Sequence, residues 1–364
     1  MRDRFGREID YMRISVIDSC NLNCYYCNPQ DNNKNCQAIN TLSVKKVLCI
    51  VRAATRLGIT HFRLTGGEPL LHPQINEMVS QIKKIPGVRS VSLTTNAVLL
   101  AQHAKQLKEA GIDSINVSLD TIDASEYEHI TKKPLLDKVE HGIDAAIECG
   151  IRVKINVVLT PQTDVVALTR YASKKGTDIR FIEMMPVGEG HTNGVEPYEK
   201  VIGTLSELYG ELYHVNTGKT KEINSGYNKY KEERKNPDNG PAEYYSFHGL
   251  DIRVGLIQAI HGKFCDICNR IRVTADGRLM PCLGSSVTMD LVPDSCEFTD
   301  DLEKDFVIVQ ALKAAIKAKP GCHNFNDNAV TYTKTTETKT TEIKTTELKA
   351  AEVNAARNMS RIGG

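Results

Sequence analysis

Residues 13–27 read RISVIDSCNLNCYYC and set a short β-rich run directly before three clustered cysteines. The cysteines are Cys20, Cys24 and Cys27, in a C-x3-C-x2-C spacing. Asn, Asp, Pro and Tyr surround them, and neither a helical nor a strand period would bury all three thiols. Unrelated core cysteines are therefore a poor interpretation, and the spacing indicates either a zinc site or an iron–sulfur cluster.

The number of thiols favours the cluster. Structural zinc takes four closed ligands, usually arranged as C-x2-C pairs, whereas this stretch supplies three cysteines. A [4Fe–4S] cluster has four irons that are normally held by four cysteines. Three cysteines leave one iron open to an external ligand, so the sequence predicts a cluster at which chemistry takes place.

The chain around this motif alternates between β-rich and helical patterns. The helical stretch that follows Ser43, a predicted N-cap, ends at Gly58, and another ends at Gly111. Strand–helix alternation predicts a parallel sheet with crossover helices. Periodicity alone does not separate a doubly wound sheet from a barrel. The predicted strands are 13–17, 61–65, 91–95, 114–119, 152–159 and 178–184.

A second triplet, Cys265, Cys268 and Cys282, lies in FCDICNRIRVTADGRLMPCL with a C-x2-C-x13-C spacing. A zinc ribbon generally uses two paired knuckles with four ligands. Here the third cysteine stands alone, because Cys296 and Cys322 lie farther along the chain without a paired spacing. The triplet therefore predicts a second [4Fe–4S] cluster, again with one open iron.

Arg270 and Arg272 fall on a predicted strand inside this segment, and residues two apart on a strand point to one face. A surface strand with two solvated arginines is the ordinary interpretation. Beside an open iron the pair favours a clamp for a phosphate group, since arginine suits bidentate phosphate contacts. The Asp276-Gly277 pair that follows predicts a hairpin turn.

The composition is that of a soluble globular protein with more than one domain. The 364 residues are too many for one ordinary core. The net charge is +1, from 46 basic and 45 acidic residues, so no global field would gather nucleic acid or an anionic membrane. No run approaches about 18 consecutive apolar residues, and the amino terminus lacks an apolar signal segment. We expect a cytoplasmic protein whose 11 cysteines stay reduced.

Three segments are predicted: a strand–helix domain at 1–228, a β-rich domain at 229–325 that carries the second triplet, and a tail at 326–364. The first boundary is placed at KYKEERKNPDNGPAEYY, a polar stretch with Pro and Gly. The tail contains KTTETKTTEIKTTELKAAEV, which repeats every five residues and fits neither hydrophobic period. A solvated linker or a weak charged helix is the simplest interpretation.

The first triplet, placed directly after the first strand of a β/α repeat, resembles the radical S-adenosylmethionine (SAM) superfamily. TGGEP, at residues 65–69, follows the second strand as it does in that family. The resemblance implies a partial (β/α)6 barrel of the TIM type, open on one side, with its site at the carboxyl ends of the strands. It also implies that SAM is cleaved to a 5′-deoxyadenosyl radical. The SAM contacts implied are Tyr26, Gly67, Glu68, Ser118 and Met185.

The two triplets together with FRLTGGEPLL, CNRIRVTADG and the ending MSRIGG resemble the GTP 3′,8-cyclase family, which performs the first step of molybdenum cofactor biosynthesis. The resemblance implies two [4Fe–4S] clusters, SAM, and GTP as the substrate. The radical takes a hydrogen from C3′ of GTP, and a C3′–C8 bond gives 3′,8-cyclo-7,8-dihydro-GTP. A lyase that uses a ferredoxin or flavodoxin as electron donor is implied, and the family commonly forms homodimers.

The resemblance also assigns roles to individual residues. The implied GTP contacts are Arg13, Arg63, Thr94, Lys154, Arg270, Ile271 and Arg272. The implied catalytic residues are Arg13, Arg270, Arg272 and the terminal Gly363 and Gly364, which the family inserts toward the active site.

Two features depart from the family pattern. Ala97 stands where the family often has glycine, and the pentapeptide tail lengthens the path to Gly363-Gly364. Three alternatives stay open: a radical SAM enzyme that modifies a peptide, a zinc-binding interaction protein, and an inactive paralogue of the cyclase. Peptide-modifying enzymes usually carry more cysteines in the second domain than the triplet found in this chain.

Overall fold

The computed structural model describes residues 1–27, 39–185, 198–214, 240–285, 288–291, 301–323 and 325. Within this part of the chain there are twelve strands and eight α-helices. The strands are β1 (Tyr11–Ser15), β2 (His61–Thr65), β3 (Ser90–Thr95), β4 (Ser114–Ser118), β5 (Val153–Val158), β6 (Asp178–Ile182), β7 (Leu212–His214), β8 (Glu243–Phe247), β9 (Leu250–Ile257), β10 (Arg270–Val273), β11 (Arg278–Met280) and β12 (Met289–Asp290). The helices are α1 (Val44–Thr55), α2 (Ile75–Lys83), α3 (Leu100–Glu109), α4 (Ala124–Thr131), α5 (Leu136–Glu148), α6 (Val165–Lys174), α7 (Tyr198–Tyr209) and α8 (Asp301–Ala318).

All twelve strands belong to one sheet, in the order β12-β11-β10-β1-β2-β3-β4-β5-β6-β9-β8-β7. Strands β1 to β6 are parallel and follow one another in chain order. A doubly wound sheet would reverse the strand order at a switch point, and no reversal occurs among β1–β6. The prediction of a parallel α/β fold is confirmed, and of the two arrangements left open by periodicity the structure has the partial barrel.

Strands from the second half of the chain continue the sheet on both sides. Strand β10 pairs in parallel with β1, and β9 pairs in parallel with β6. Antiparallel strands then extend each side, β11 and β12 beyond β10 and β8 and β7 beyond β9. The predicted boundary between residues 228 and 229 lies outside the described residues, so the domain division stays a prediction.

The strand alternation separates an apolar face from a polar one. Met12, Ile14, Phe62 and Leu64 are fully buried on the face covered by the helices. Their neighbours Arg13 and Arg63 point to the opposite, concave face, because successive strand residues alternate. The parallel register sets Arg13 beside Arg63, and Thr94 beside Asn116, which brings polar side chains from distant sequence positions to one surface.

Helix α1 follows its sequence signals. The hydroxyl of Ser43 accepts a hydrogen bond from the Lys46 amide at 3.3 Å, as expected of an N-cap. Gly58 has φ +82° and Gly111 has φ +87°, the left-handed backbone that ends a helix favourably at glycine. The sequence did not predict α7 or α8. Helix α7 lies within residues 186–240, where the alternation of strand and helix patterns weakens. No helix in the described part of the chain has the length and apolar character needed to cross a membrane.

Candidate active site

A cavity of about 320 Å³ lies on the concave face of the sheet. Its lining comes from β1 through β6 and from β9 and β10, so both halves of the chain contribute to one space. All six predicted cluster cysteines line it: Cys20, Cys24, Cys27, Cys265, Cys268 and Cys282. The two triplets, 238 or more residues apart in sequence, therefore face a common cavity.

Gly66 and Gly67 fix the loop that carries the first triplet. The Gly67 amide donates to the Ile17 carbonyl at 2.8 Å, and the Glu68 amide donates to the Ser19 carbonyl at 2.8 Å. A Cβ atom on Gly66 or Gly67 would lie 2.3 Å from those same two carbonyl oxygens. Only glycine permits this approach, so the pair holds the residues before Cys20 against the end of β2 while both glycines also line the cavity.

Glu68 braces the loops after β2 and β3. Its Oε1 accepts from the Thr95 hydroxyl at 2.7 Å and the Leu70 amide at 3.0 Å, and its Oε2 accepts from the Asn96 amide at 2.7 Å. The side chain is buried and does not line the cavity. Burial raises the pKa of Glu68 to about 7, although the three hydrogen bonds favour the carboxylate.

The first triplet lies in a negatively charged environment. Burial raises the pKa of Cys27 to about 12, and nearby Cys20 and Asp120 add to the effect. Burial raises the pKa of Cys24 as well, again with negative neighbours. Thiolates at these positions therefore need a cationic group beside them, and the donor chemistry fits an iron–sulfur core, which keeps its cysteines deprotonated.

Two polar residues beside the first triplet were not predicted as site residues. Asp120 accepts from the Tyr26 hydroxyl at 2.6 Å and from the Val158 amide at 2.8 Å. Asn96 donates to Asn21 at 2.7 Å, and its amide nitrogen lies 3.7 Å from the Cys20 sulfur. Both residues follow the carboxyl end of a strand, and this position would have marked them as candidate site residues.

The second triplet is held by buried cations that bind its backbone. Arg7 donates from Nη1 to the Cys265 carbonyl at 2.6 Å and from Nη2 to the Pro320 carbonyl at 2.7 Å. Lys319 donates to the carbonyls of Arg270 at 2.8 Å and Pro281 at 2.9 Å. Burial raises the pKa of the Cys268 thiol, but the charges of Arg270 and Lys319 outweigh burial and leave that pKa below its usual value.

The segment after α8 closes around Cys265. The pKa of the Cys265 thiol is raised to about 11, mainly by burial and also by the neighbouring Cys322 thiol, while the His323 backbone acts in the opposite direction. The sequence left Cys322 apart from the triplet, because nothing in its local spacing pairs it with Cys265. Lys319, His323 and Phe325 line the cavity here, and the sequence did not identify any of the three.

Arginines gather where β10, β1 and β2 lie side by side. The register sets Arg13 between Arg272 on β10 and Arg63 on β2. Burial, followed by the charges of Arg272 and Arg63, holds the pKa of Arg13 well below its usual range. Burial and the charge of Arg270 lower the pKa of Arg272 to about 10. Like charges this close in a buried site favour an anion between them.

Most of the predicted SAM and GTP contacts line the cavity. They are Arg13, Tyr26, Arg63, Gly67, Thr94, Ser118, Met185, Arg270 and Arg272. Among the described residues that were predicted as contacts, Glu68, Lys154 and Ile271 do not line it. Ile271 lies between the two arginines of β10 and faces the apolar side, as strand alternation requires.

Lys154 is buried on β5, at the same register level as Asn116 and two residues before the cavity-lining Asn156. Arg180 on β6 lines the cavity and donates to Asn156 at 2.8 Å, a contact that sequence analysis did not foresee. Gly363 and Gly364 lie outside the described residues.

The described residues contain no group of three or more His, Cys, Asp and Glu side chains arranged to hold one metal ion. The nine cysteines in the described part of the chain are all free thiols. Neither triplet is thus a ready-made mononuclear site, and each offers three thiols that face a cavity.

Known proteins share both the domains and the length of this chain. Residues 14–169 match the Radical SAM superfamily, and residues 177–325 match Molybdenum Cofactor Synthesis C. A GTP 3′,8-cyclase of Clostridium perfringens (strain SM101 / Type A) is 36% identical over 329 residues, which cover 89% of this chain and 95% of that protein. A GTP 3′,8-cyclase of Listeria monocytogenes serovar 1/2a is 36% identical over 327 residues, covering 89% and 92%.

A solved structure shares the fold at low sequence identity. Streptococcus suis SuiB, in a crystal structure bound to S-adenosylmethionine, aligns with a TM-score of 0.56 and 14% identity, covering 85% of this chain and 68% of that one. The two cyclases, by contrast, align with this chain over 95% and 92% of their own length. The chain belongs to the GTP 3′,8-cyclase family of the radical SAM superfamily.

Proposed function

We propose that the chain is a GTP 3′,8-cyclase, a lyase that converts GTP to (8S)-3′,8-cyclo-7,8-dihydro-GTP in the first step of molybdenum cofactor biosynthesis. One observation carries the proposal: two cysteine triplets and a cluster of arginines line the same cavity. The triplets supply donors for two clusters, and the arginines supply charge for a triphosphate.

In this proposal Cys20, Cys24 and Cys27 hold the first [4Fe–4S] cluster, and Cys265, Cys268 and Cys282 hold the second. A cluster and SAM bound at the first triplet would supply the radical chemistry at C3′ of GTP. Tyr26, Gly67, Ser118 and Met185, which line the cavity, position SAM. Glu68 acts indirectly, because its hydrogen bonds fix the loop of Asn96 beside Cys20.

The arginine cluster positions GTP. Arg13 and Arg272, with Arg63 and Arg270, neutralise the triphosphate, and Thr94 adds a hydroxyl. Arg63 Nη1 lies 3.4 Å from the Thr94 hydroxyl, so the two can share one phosphate oxygen. The buried Lys154 adds positive charge behind this surface. Holding C3′ and C8 in reacting geometry is the main task of the protein, since the cofactors carry the hard chemistry.

The remaining parts of the proposal concern partners and place. The reaction needs a one-electron donor, for which a ferredoxin or flavodoxin is suited, and the enzyme works as a homodimer. Nucleic acid and membrane are not partners, in keeping with the balanced net charge of +1. Free thiols suit a reducing, cytoplasmic setting. Gly363 and Gly364 are included as catalytic residues on the resemblance to the family alone.

The test is anaerobic turnover of the reconstituted full-length chain with reductant and SAM, measuring 5′-deoxyadenosine and nucleotide products with GTP, with ATP, and with neither. GTP-dependent deoxyadenosine together with a cyclised GTP product is expected. Cys20→Ser should abolish both, whereas Cys149→Ser, a thiol at the end of α5 away from the cavity, should leave both unchanged. Deoxyadenosine that forms equally without GTP would point to another substrate, and none at all with both clusters loaded would indicate an inactive paralogue.

A further inference from the structure

Lys319 follows directly after α8 and is 2% exposed. Its Nζ donates to the Arg270 carbonyl at 2.8 Å and to the Pro281 carbonyl at 2.9 Å. Its charge also helps to lower the pKa of the nearby Cys268 thiol. An ammonium group has three donors and no acceptor, and the two carbonyls accept from two of them. These contacts and the burial of the side chain hold the positive charge beside the second triplet.

The two triplets have neighbours of opposite charge. Asp120 lines the cavity beside the first triplet and accepts the Tyr26 hydroxyl. Lys319 and Arg270 line it beside the second triplet. The reduction potential of an iron–sulfur cluster depends on net charge, hydrogen bonds to its sulfurs and burial. The charge differs between the sites, because a carboxylate lies beside the first triplet and two cations lie beside the second.

We propose that Lys319 sets the reduction potential of the second [4Fe–4S] cluster and makes it the more readily reduced of the two. The inference rests on the proposed function, in which Cys268 is a ligand of that cluster. One electron from an external one-electron donor converts the cluster from the 2+ to the 1+ state, and no proton is transferred. The added negative charge is stabilised by an ammonium that two carbonyls hold beside the cysteine ligands, while Asp120 opposes reduction at the first triplet.

Lys319 differs from the arginine clamp, because backbone carbonyls of the chain hold its ammonium group. Its two carbonyl partners belong to residues between the second and third cysteines of the triplet, Arg270 after Cys268 and Pro281 before Cys282. The same side chain thus positions the ligands and tunes the charge around them. Substitutions can separate the two roles, because glutamine keeps amide donors but removes the charge.

The experiment is a potentiometric titration of the reconstituted full-length chain, followed by electron paramagnetic resonance, with SAM added to identify the first cluster through its changed signal. Lys319→Gln and Lys319→Met are compared with Lys317→Met, which removes the same charge from the exposed side of the end of α8. The midpoint potential of the second cluster should become more negative in both Lys319 variants. The first cluster should not change, and Lys317→Met should match the parent.

The iron and sulfide content distinguishes failure of the proposed function from failure of the inference about Lys319. A variant in which Cys265, Cys268 and Cys282 are replaced should contain less iron than the parent. Equal iron content in the two proteins would overturn the second cluster and the proposed function that needs it. A loaded second cluster with an unshifted potential in Lys319→Gln would overturn this inference alone. If Lys319→Met loses the cluster, Lys319→Gln supplies the measurement, and Lys319→Arg, which keeps the charge, should restore both loading and the parent potential.

Discussion

At the scale of single residues, Glu68 illustrates how a buried carboxylate can organise a site without facing it. Its two oxygens collect three hydrogen bonds from the ends of β2 and β3, and the loop that it fixes places Asn96 beside Cys20. The cost is desolvation of a charge, which raises the pKa of Glu68 to about 7. Such a group makes stability depend on pH.

Glu68 should make the cluster-free protein less stable as pH rises. The folded pKa of about 7 exceeds the ordinary value of 4.5, so between these two pH values the folded state binds more protons than the unfolded state. The free energy of unfolding should fall by up to roughly 3 kcal/mol across this window. Urea unfolding at several pH values measures it. The difference between the parent and Glu68→Gln should grow with pH, and parallel curves would show that burial does not perturb Glu68.

Gly67→Ala should prevent loading of the first cluster. The new Cβ would lie 2.3 Å from the Ser19 carbonyl oxygen, so the loop that leads to Cys20 must move. Iron content after reconstitution should drop from about eight toward about four atoms per chain. Gly203→Ala, on α7 with no atom within 4 Å of the new Cβ, is the matched control and should load fully. Full loading of Gly67→Ala would mean that the close contact is not required.

Individual residues also show which site features can be predicted from the sequence and which cannot. The six cysteines were found because their spacing is a local property of the chain. The bracing role of Glu68 depends on Thr95 and Asn96, which lie 27 and 28 residues further on, and only the parallel arrangement of β2 and β3 brings them together. Lys319 had no local signal at all, since its partners lie 49 and 38 residues away.

At the scale of elements, the pairing of β10 with β1 builds the arginine cluster. The register sets Arg13 on β1 beside Arg272 on β10 and Arg63 on β2, so arginines from three strands lie together. The strand–helix pattern was sufficient to predict β1 to β6. The sequence could not reveal that β10 and β9 extend the same sheet, because parallel pairing between distant segments leaves no mark in local periodicity.

Removing one arginine should stabilise the protein and weaken anion binding. Arg13→Met relieves the repulsion from Arg272 and Arg63 in a buried site, so the cluster-free protein should gain about 1–2 kcal/mol. Added tripolyphosphate should raise the melting temperature of the parent and have little effect on this variant, because it acts through binding to the folded state. Arg89→Met, an exposed arginine just before β3, should respond like the parent. Equal stabilisation of all three proteins by tripolyphosphate would exclude the arginine cluster as its site.

At the scale of the whole molecule, Arg7 joins three distant parts of the chain. It pairs with Asp3 at 2.6 Å, binds the Cys265 carbonyl, and binds the Pro320 and Gly321 carbonyls that follow α8. The amino-terminal segment, the loop of the second triplet and the end of the last described helix thus share one buried guanidinium. The geometry of the second triplet depends on residues at both ends of the described chain.

Arg7→Met should destabilise the protein by roughly 3 kcal/mol, because it leaves Asp3 buried without its ion pair and several carbonyls without donors. Loading of the second cluster should fall while the first cluster is retained. Arg4→Met, which removes an exposed arginine that contacts Phe5, is the control and should change stability by less than about 0.5 kcal/mol. Comparable losses of stability and of second-cluster loading in both variants would indicate a general effect of charge.

The tail is tested by removing its last two residues. Deleting Gly363 and Gly364 should leave the iron content intact and abolish the cyclised product, if the terminal glycines act in the active site. A second variant that lacks one five-residue repeat, from within residues 334–353, tests whether the length of the tail matters and should keep its activity. Undiminished turnover without the two glycines would remove the tail from the mechanism.

The strands that extend the sheet on both sides also bear on how the protein is made. Strand β1 pairs with β10, and β6 pairs with β9. Both edges of the parallel core therefore stay unpaired until these later segments have been synthesised. A nascent chain that has just completed Ile182 exposes two rows of unpaired backbone groups, which are templates for aggregation. A premature stop anywhere before Leu250 should therefore yield an insoluble fragment instead of a smaller folded barrel.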